Sequence, residues 1–430
     1  MPLMNSLGAL RTMQGNITPI GGNGFLSQLA FSTSVFANYA KCVIDSVGNT
    51  YAAGKVGSNG APSEKALLVK IDTTGTIVWQ KTLGASTRDF NFQDIAIDSS
   101  DNIYVVGKNY STNIAWALIK YTSAGVISFN KVYDNPNNLD WTGAIMVNGT
   151  NIWTLINDNG TSGVGSIISK LDLSGNNVST VYHVKTTPAI QFTNISNIVG
   201  SNYAIAGIDQ TGTYTQVPVV VLNTSNVVQW TKLISLNLLD ISSVNIKLDS
   251  TGNVYVLVRD NTHSYLIKIN NDTTIAWSKK LGSLYNDFTI YNDMLYLVGT
   301  SKIIAVTAAG NLQYIRAMYW LTAGNVRNSV TFSSVKINNG KLYVVGNSNG
   351  TNCVFDTLPL NGQVPYNGTY TLNSTTFTYV VSSESIYNIY MTYTTPTIAF
   401  TTLSYRYSNN LTVQNQATGL GTFIHTNIGI

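Results

Sequence analysis

The 430-residue chain is short of the residue types on which most catalysis, metal binding and crosslinking rest: it has 2 cysteines, 3 histidines and 9 prolines, and only 10% of its residues are charged. Cys42 and Cys353 are far apart, which excludes a disulfide framework and leaves buried, reduced thiols as the expectation. His183, His263 and His425 have no i, i+4 spacing, so no shared metal site is expected. Glutamate is scarce, and there is neither a Gly-x-Ser-x-Gly elbow nor a Walker phrase. Gly163-Val-Gly165 and Gly419-Leu-Gly421 read as loop glycines, since neither stands between a strand and a helix as a phosphate cradle would. The chain therefore reads as non-enzymatic, without cofactor or metal.

Other absences bear on location and partners. No helical period is sustained over three turns, no Pro-rich or charged linker divides the chain, and no apolar run reaches membrane-span length. Residues 1–30 lack a basic cluster followed by an apolar core, so no secretory signal is expected. The net charge is +4, but the lysines are dispersed and no basic run interleaves with aromatics. Nucleic acid is therefore not an expected partner, nor is membrane insertion.

What fills the chain instead is a repeat of about 48 residues. It is clearest as Asp-x-x-Gly-Asn-x-Tyr-x-x-Gly: Asp45-Ser-Val-Gly-Asn-Thr-Tyr51-Ala-Ala-Gly54, Asp98-Ser-Ser-Asp-Asn-Ile-Tyr104-Val-Val-Gly107 and Asp249-Ser-Thr-Gly-Asn-Val-Tyr255-Val-Leu-Val258. Looser copies carry Trp153, Tyr203, Tyr296, Tyr343 and Tyr387 at the aromatic position. A second phrase keeps the same register, running from Leu67-Leu-Val-Lys70-Ile-Asp72 through a turn to Ile77-Val-Trp79-Gln-Lys81. Equivalents surround Lys120 to Lys131 and Lys268 to Lys279. Matching offsets at two places in each unit make the repeat a strong signal.

Each unit reads as four strands, which predicts an all-β fold, a β-propeller of four-stranded blades. The first three strands are short apolar runs, suited to positions covered on both faces. The fourth is more polar and carries a lysine, suited to an outer edge that must refuse foreign strands. Eight blades are expected, the last formed by Thr376–Val381, Ile386–Met391, Thr397–Tyr405 and Asn410–Gln414; seven blades with a C-terminal appendage is the alternative. The units holding Cys42 and Cys353 are neighbours only in the seven-bladed ring. Residues 1–34 are expected to form a docking arm, 35–416 the propeller and 417–430 a tail.

Topology places the stereotyped turns, such as Asp45–Asn49 and Asp72–Gly75, on one side and the variable connections on the other. Function is expected on the variable side. An aspartate recurs just before the inner strand, as Asp89, Asp140, Asp240 and Asp287, either as a ring of carboxylates around one channel mouth or as caps of their own turns. Aromatics on the same side, Trp141, Tyr214, Tyr285 and Trp320, are candidates for stacking on sugar or packing on a partner.

Taken together, Asp-Ser-x-Gly-Asn-x-Tyr-Val-x-Gly and Leu-Val-Lys-Ile-Asp-x-x-Gly-x-x-x-Trp-x-Lys-x-Leu-Gly resemble the bacterial β-propeller repeat (SBBP-like) family, best in units one, two and five. Copies of that repeat occur in bacterial surface proteins and phage virion proteins. The resemblance implies adhesion or assembly and brings no catalytic residues. The expected role is a structural or receptor-binding virion protein of a tailed phage, made in the host cytoplasm and part of an oligomeric assembly. Its partners would be other virion proteins or a host surface glycan. The alternatives are a bacterial cell-surface adhesion module and, further off, a polysaccharide-active propeller enzyme.

Overall fold

The computed structural model describes residues 25–30, 35–58, 64–83, 90–109, 115–133, 140–158, 164–184, 190–209, 215–321, 327–348 and 352–360. Beyond these it describes the short strands Gly368–Leu372, Thr375–Val381, Ile386–Asn388, Thr392–Thr394, Phe400–Thr402 and Ile424–Gly429. Six stretches, residues 35–83, 90–133, 140–184, 190–238, 243–281 and 285–321, each fold into four consecutive antiparallel strands, blades 1 to 6. Blade 7 has three strands from residues 327–359 and takes its fourth from the N-terminal segment, where Phe25–Ala30 pairs with Asn352–Pro359. A short ladder from Tyr319–Leu321 to Arg327–Ser329 joins blades 6 and 7 into one sheet.

The order of the blades follows from what lies between them. The buried apolar residues fall into seven clusters, and each cluster joins two blades: 1 to 2, 2 to 3, and onward to 6 to 7. The seventh joins blade 7 back to blade 1, with Ala37, Tyr39 and Cys42 against Tyr343, Val345 and Cys353. The chain is a closed β-propeller. Alternation along each second strand explains how one ladder serves two interfaces: Tyr51 and Ala53 face blade 2 while Ala52 faces blade 7. Each cluster holds ten to sixteen buried residues. At about 1.5–3 kcal/mol per large apolar side chain, these clusters outweigh any polar contact between blades.

Of the two blade counts, seven is the one the strand pairing makes among the described residues. Among its described residues, the segment expected to fold as an eighth blade does not pair with itself. Thr375–Val381 adds to the outer strand of blade 6, Ile386–Asn388 to blade 5, Thr392–Thr394 to blade 4 and Phe400–Thr402 to blade 3. Ile424–Gly429 then pairs with Phe25–Ala30 of blade 7. The reason is local. This segment lacks the Asp-x-x-Gly-Asn turns that fold the other units into hairpins, and blades 1 and 7 already cover the faces an eighth blade would need. The outer strands of blades 3 to 7 are thus not bare edges but templates taken up by the chain's own C-terminal strands. The N-terminal segment likewise contributes a strand to the ring, while residues 1–24 and the 403–423 part of the expected eighth blade and tail lie outside the described residues.

The repeat phrases have a structural meaning on the side of the stereotyped turns. Asp98 Oδ1 accepts the backbone N–H of Ser100 and Asn102, and Tyr104 donates its hydroxyl to Asp98 Oδ2 at 2.9 Å. Lys120 reaches into the next blade and donates to the Leu173 carbonyl at 3.3 Å. Blade 1 repeats this with Lys70 and Trp79 on the Ser123 carbonyl, blade 3 with Lys170 on Thr224, and blade 5 with Lys268 and Trp277 on Ala308. The recurring third-strand lysines are therefore clamps between neighbouring blades.

Candidate functional site around the channel mouth

The last glycine of the phrase answers to a bulge on the inner strand. In blades 1, 2, 4, 6 and 7 the inner strand slips by one residue directly after an aromatic, Tyr39, Phe92, Phe192, Tyr285 and Phe332 respectively. Opposite each aromatic stands Gly54, Gly107, Gly207, Gly299 or Gly346. A Cβ on any of these glycines would lie 1.9–2.3 Å from a backbone carbonyl oxygen of the inner strand. Blade 5 has Val258 at that position, and its inner strand runs without a register shift. Blade 3 has Ile156 there and places the glycine in the bulge itself, as Gly143.

The residues that follow the bulges are Lys41, Asp94, Ala144, Asn194, Asp287 and Ser334, and Asn245 holds the same place in the unbulged blade 5. Lys41 Nζ lies 3.4 Å from Asp287 Oδ2 and 3.5 Å from Asn245 Oδ1. Blades 1 and 5 are not neighbours, so this contact crosses the channel.

The acidic and amide members also tie one blade to the next. Asp94 Oδ2 accepts the Ile145 N–H of blade 3 at 2.9 Å, Asn194 Oδ1 accepts the Ile246 N–H of blade 5 at 3.4 Å, and Asp287 accepts the Ser334 hydroxyl at 2.8 Å and the Val335 N–H of blade 7. Across the closure, Cys42 Sγ of blade 1 donates to Ser334 Oγ at 3.7 Å. Both cysteines are buried free thiols on neighbouring blades, and burial pushes the Cys42 thiol up to about 11.

The electrostatics of this channel are positive. Lys41, Lys247 and Lys336 act on Asp94 and Asp287. Burial opposes ionisation of Asp287, but Lys41, Lys247 and Lys336 outweigh it and hold the carboxyl down at about 2. For Lys247 burial dominates, reinforced by the like charges of Lys336 and Lys41, and its ammonium is pushed down to about 8. Burial raises Asp94 despite the backbone N–H groups it accepts.

Above the ring, at the end where the inner strands begin and the variable connections lie, is a cavity of about 430 Å³. Its lining includes five asparagines, Asn38, Asn194, Asn245, Asn286 and Asn347, five serine or threonine side chains, and two cations, Lys41 and Arg259. Among the described residues no carboxylate and no histidine lines it. Arg259 donates through Nη1 to Asn286 Oδ1, Asn286 donates to the Phe332 carbonyl at 2.7 Å, and Asn347 donates to Asn38 at 3.2 Å. Among the described residues no group of three or more acidic, cysteine or histidine side chains is arranged to hold a metal ion.

The residues expected to line this face are brought together only in part. Asp287 belongs to the channel floor at the position of Asp94 and Asn245, five residues further along the unit than Asp89 and Asp240. Asp240 is exposed in the connection before Ser243–Leu248 and takes the Asn261 amide at 2.9 Å. The two therefore do not belong to one ring of mouth carboxylates. Tyr285 is fully buried between blades 5 and 6, so it is core and not an exposed stacking surface. Asp140 and Trp141 open the inner strand of blade 3 opposite Asp158 and Asn157, and Trp320 pairs through its backbone with Asn328 and Phe377; their side chains lie outside the described residues. Asp89 and Tyr214 lie outside them altogether.

The sequence did carry a signal for the residues that were missed. Lys41, Asp94 and Asn245 each stand four positions before the aspartate of the phrase, Asp45, Asp98 and Asp249.

No family model matches the chain, and no curated protein matches it. Among solved structures it is similar to the WD40 domain of Toxoplasma gondii coronin, at 8% identity over 79% of this chain and 88% of that one, with a TM-score of 0.46. It is similar also to the phage phi92 endosialidase, at 12% identity over 82% of this chain and 71% of that one, with a TM-score of 0.43. The AfRom2 CNH domain matches at 12% identity over 78% of this chain and 99% of that one, with a TM-score of 0.42. The likeness is one of fold.

Proposed function

We propose that this chain is a non-enzymatic binding propeller of a tailed-phage virion, made in the host cytoplasm. On this reading the variable side engages another virion protein or a host surface glycan. The observation that carries the binding role is the channel-mouth cavity, whose described lining offers amides, hydroxyls and two cations and, among the described residues, no carboxylate or imidazole to move a proton. Two carboxylates of the channel are committed, Asp94 to backbone N–H groups and Asp287 to Lys41, Ser334 and Val335. Such a lining favours holding a polar ligand over cleaving it. The virion setting is supported by the repeat phrases around Tyr51, Tyr104 and Tyr255, which resemble those of phage and bacterial surface propellers.

Mass spectrometry of purified particles tests the setting. The polypeptide is expected among the virion proteins in a fixed ratio to the major structural components. Its recovery only from the envelope fraction of a bacterial cell would replace this reading with the surface-adhesion alternative.

A further inference from the structure

We propose that the channel-mouth cavity takes a polyhydroxylated carboxylate, an acidic saccharide unit, with Arg259 and Lys41 holding the carboxylate and the surrounding asparagines the hydroxyls. This rests on the binding role proposed above and names its ligand class. Three observations converge on it.

The first is the donor left over on Arg259. Its Nη1 is used by Asn286, while its Nε is buried without a hydrogen-bond partner among the described residues. A buried donor of this kind calls for an acceptor. The edge carrying Nε and Nη2 is the fork that matches the two oxygens of a carboxylate.

The second is convergence. Arg259 bonds Asn286, Lys41 bonds Asn245 at 3.5 Å, and Asn245 donates to the Asn286 carbonyl at 2.8 Å. The two cations of the lining thus meet at one pair of adjacent asparagines on blades 5 and 6.

The third is the sign of the charge. Three lysines face two carboxylates in the channel, Arg259 adds a further positive charge in the lining, and among the described residues no carboxylate lines the cavity. A cationic ligand meets net repulsion there and an anionic one net attraction. At about 430 Å³ the space suits a ligand of one or two sugar rings. Asparagine amides, which both donate and accept, suit their hydroxyls.

Titration of the purified full chain with D-glucuronate and with D-glucose, followed by ligand-observed NMR at low salt, tests the assignment. Glucuronate is expected to bind saturably and at least tenfold more tightly than glucose. Arg259→Gln is expected to erase that preference, and Asn347→Asp, which places a negative charge on the opposite wall, to weaken glucuronate about tenfold while leaving glucose unchanged. Equal binding of the two sugars, or a preference untouched in both variants, would overturn the acidic-ligand assignment and leave the binding role standing. Saturable binding of neither sugar would overturn the assignment of this cavity to saccharide, whereas the virion setting stands or falls separately on the particle composition.

Discussion

Gly207→Ala is expected to destabilise the propeller by roughly 3 kcal/mol or more, among the largest effects available to a single added methyl group. The methyl would meet the Gln191 carbonyl oxygen at 1.9 Å and the Phe192 Cα at 2.5 Å, both backbone atoms of the bulged inner strand. Neither can swing aside as a side chain would, so relief requires the bulge to flatten. Flattening would turn Asn194 away from the channel and break its bonds to Asn245 and Ile246. Gly200→Ala in the same blade is the control. Gly200 has φ +61° with nothing within 4 Å of a Cβ, so only the left-handed backbone opposes alanine, at about 1–2 kcal/mol. Urea unfolding of the two variants separates the cases. A cost for Gly207→Ala no greater than that for Gly200→Ala would contradict a bulge that forces the glycine.

Asp287→Ala is the second large expectation, at roughly 3–5 kcal/mol, because it leaves Lys41, Lys247 and Lys336 in the channel with Asp94 as their remaining counter-charge. The same carboxylate gives a pH signature. Its folded value is held at about 2, below the ordinary aspartate value of about 3.9. The stability it contributes is therefore fully present above about pH 4 and is lost as pH falls through about 2. Relative to Asp287→Asn, which cannot titrate, the native protein is expected to lose about 2 kcal/mol between pH 4 and pH 2. Parallel acid titrations of unfolding measure this difference. Curves that run parallel over the window would place Asp287 outside the charge network.

Much of the fold was legible because the repeat encodes contacts between blades. The aspartate and tyrosine of the phrase cap and brace a turn, and the lysine of the second phrase clamps the next blade, as Asp98, Tyr104 and Lys120 do. The lysine clamp recurs in blades 1, 2, 3 and 5 and the hydrogen bond from tyrosine to aspartate in blades 1 and 2, and these residues recur in sequence. The C-terminal strands carry no such phrase, since each pairs through backbone groups along an existing edge. Their sequence offers only β propensity, and Tyr387 falls on the repeat spacing while pairing with Lys280 of blade 5.

The site was less legible than the ring. The positions after the bulge are occupied by different residue types from blade to blade, from Lys41 to Ala144 to Ser334, so they do not announce themselves as a repeat. Arg259 and Asn286 meet only through the geometry of two adjacent blades. Asp287 drew notice for the wrong reason, as a mouth carboxylate beside Phe288, whereas its place is fixed by the bulge after Tyr285. Val258 was the informative departure. Where the phrase loses its glycine, the inner strand of blade 5 loses its bulge.

The closed ring is the claim on which the channel, its charge and the cavity all depend, and an experimental density map viewed along the channel axis tests it most directly. Seven blades are expected, with Phe25–Ala30 forming the outer strand of the seventh, whose inner strands lie against blade 1. Eight blades, or an open arc with solvent between the faces carrying Cys42 and Cys353, would contradict it.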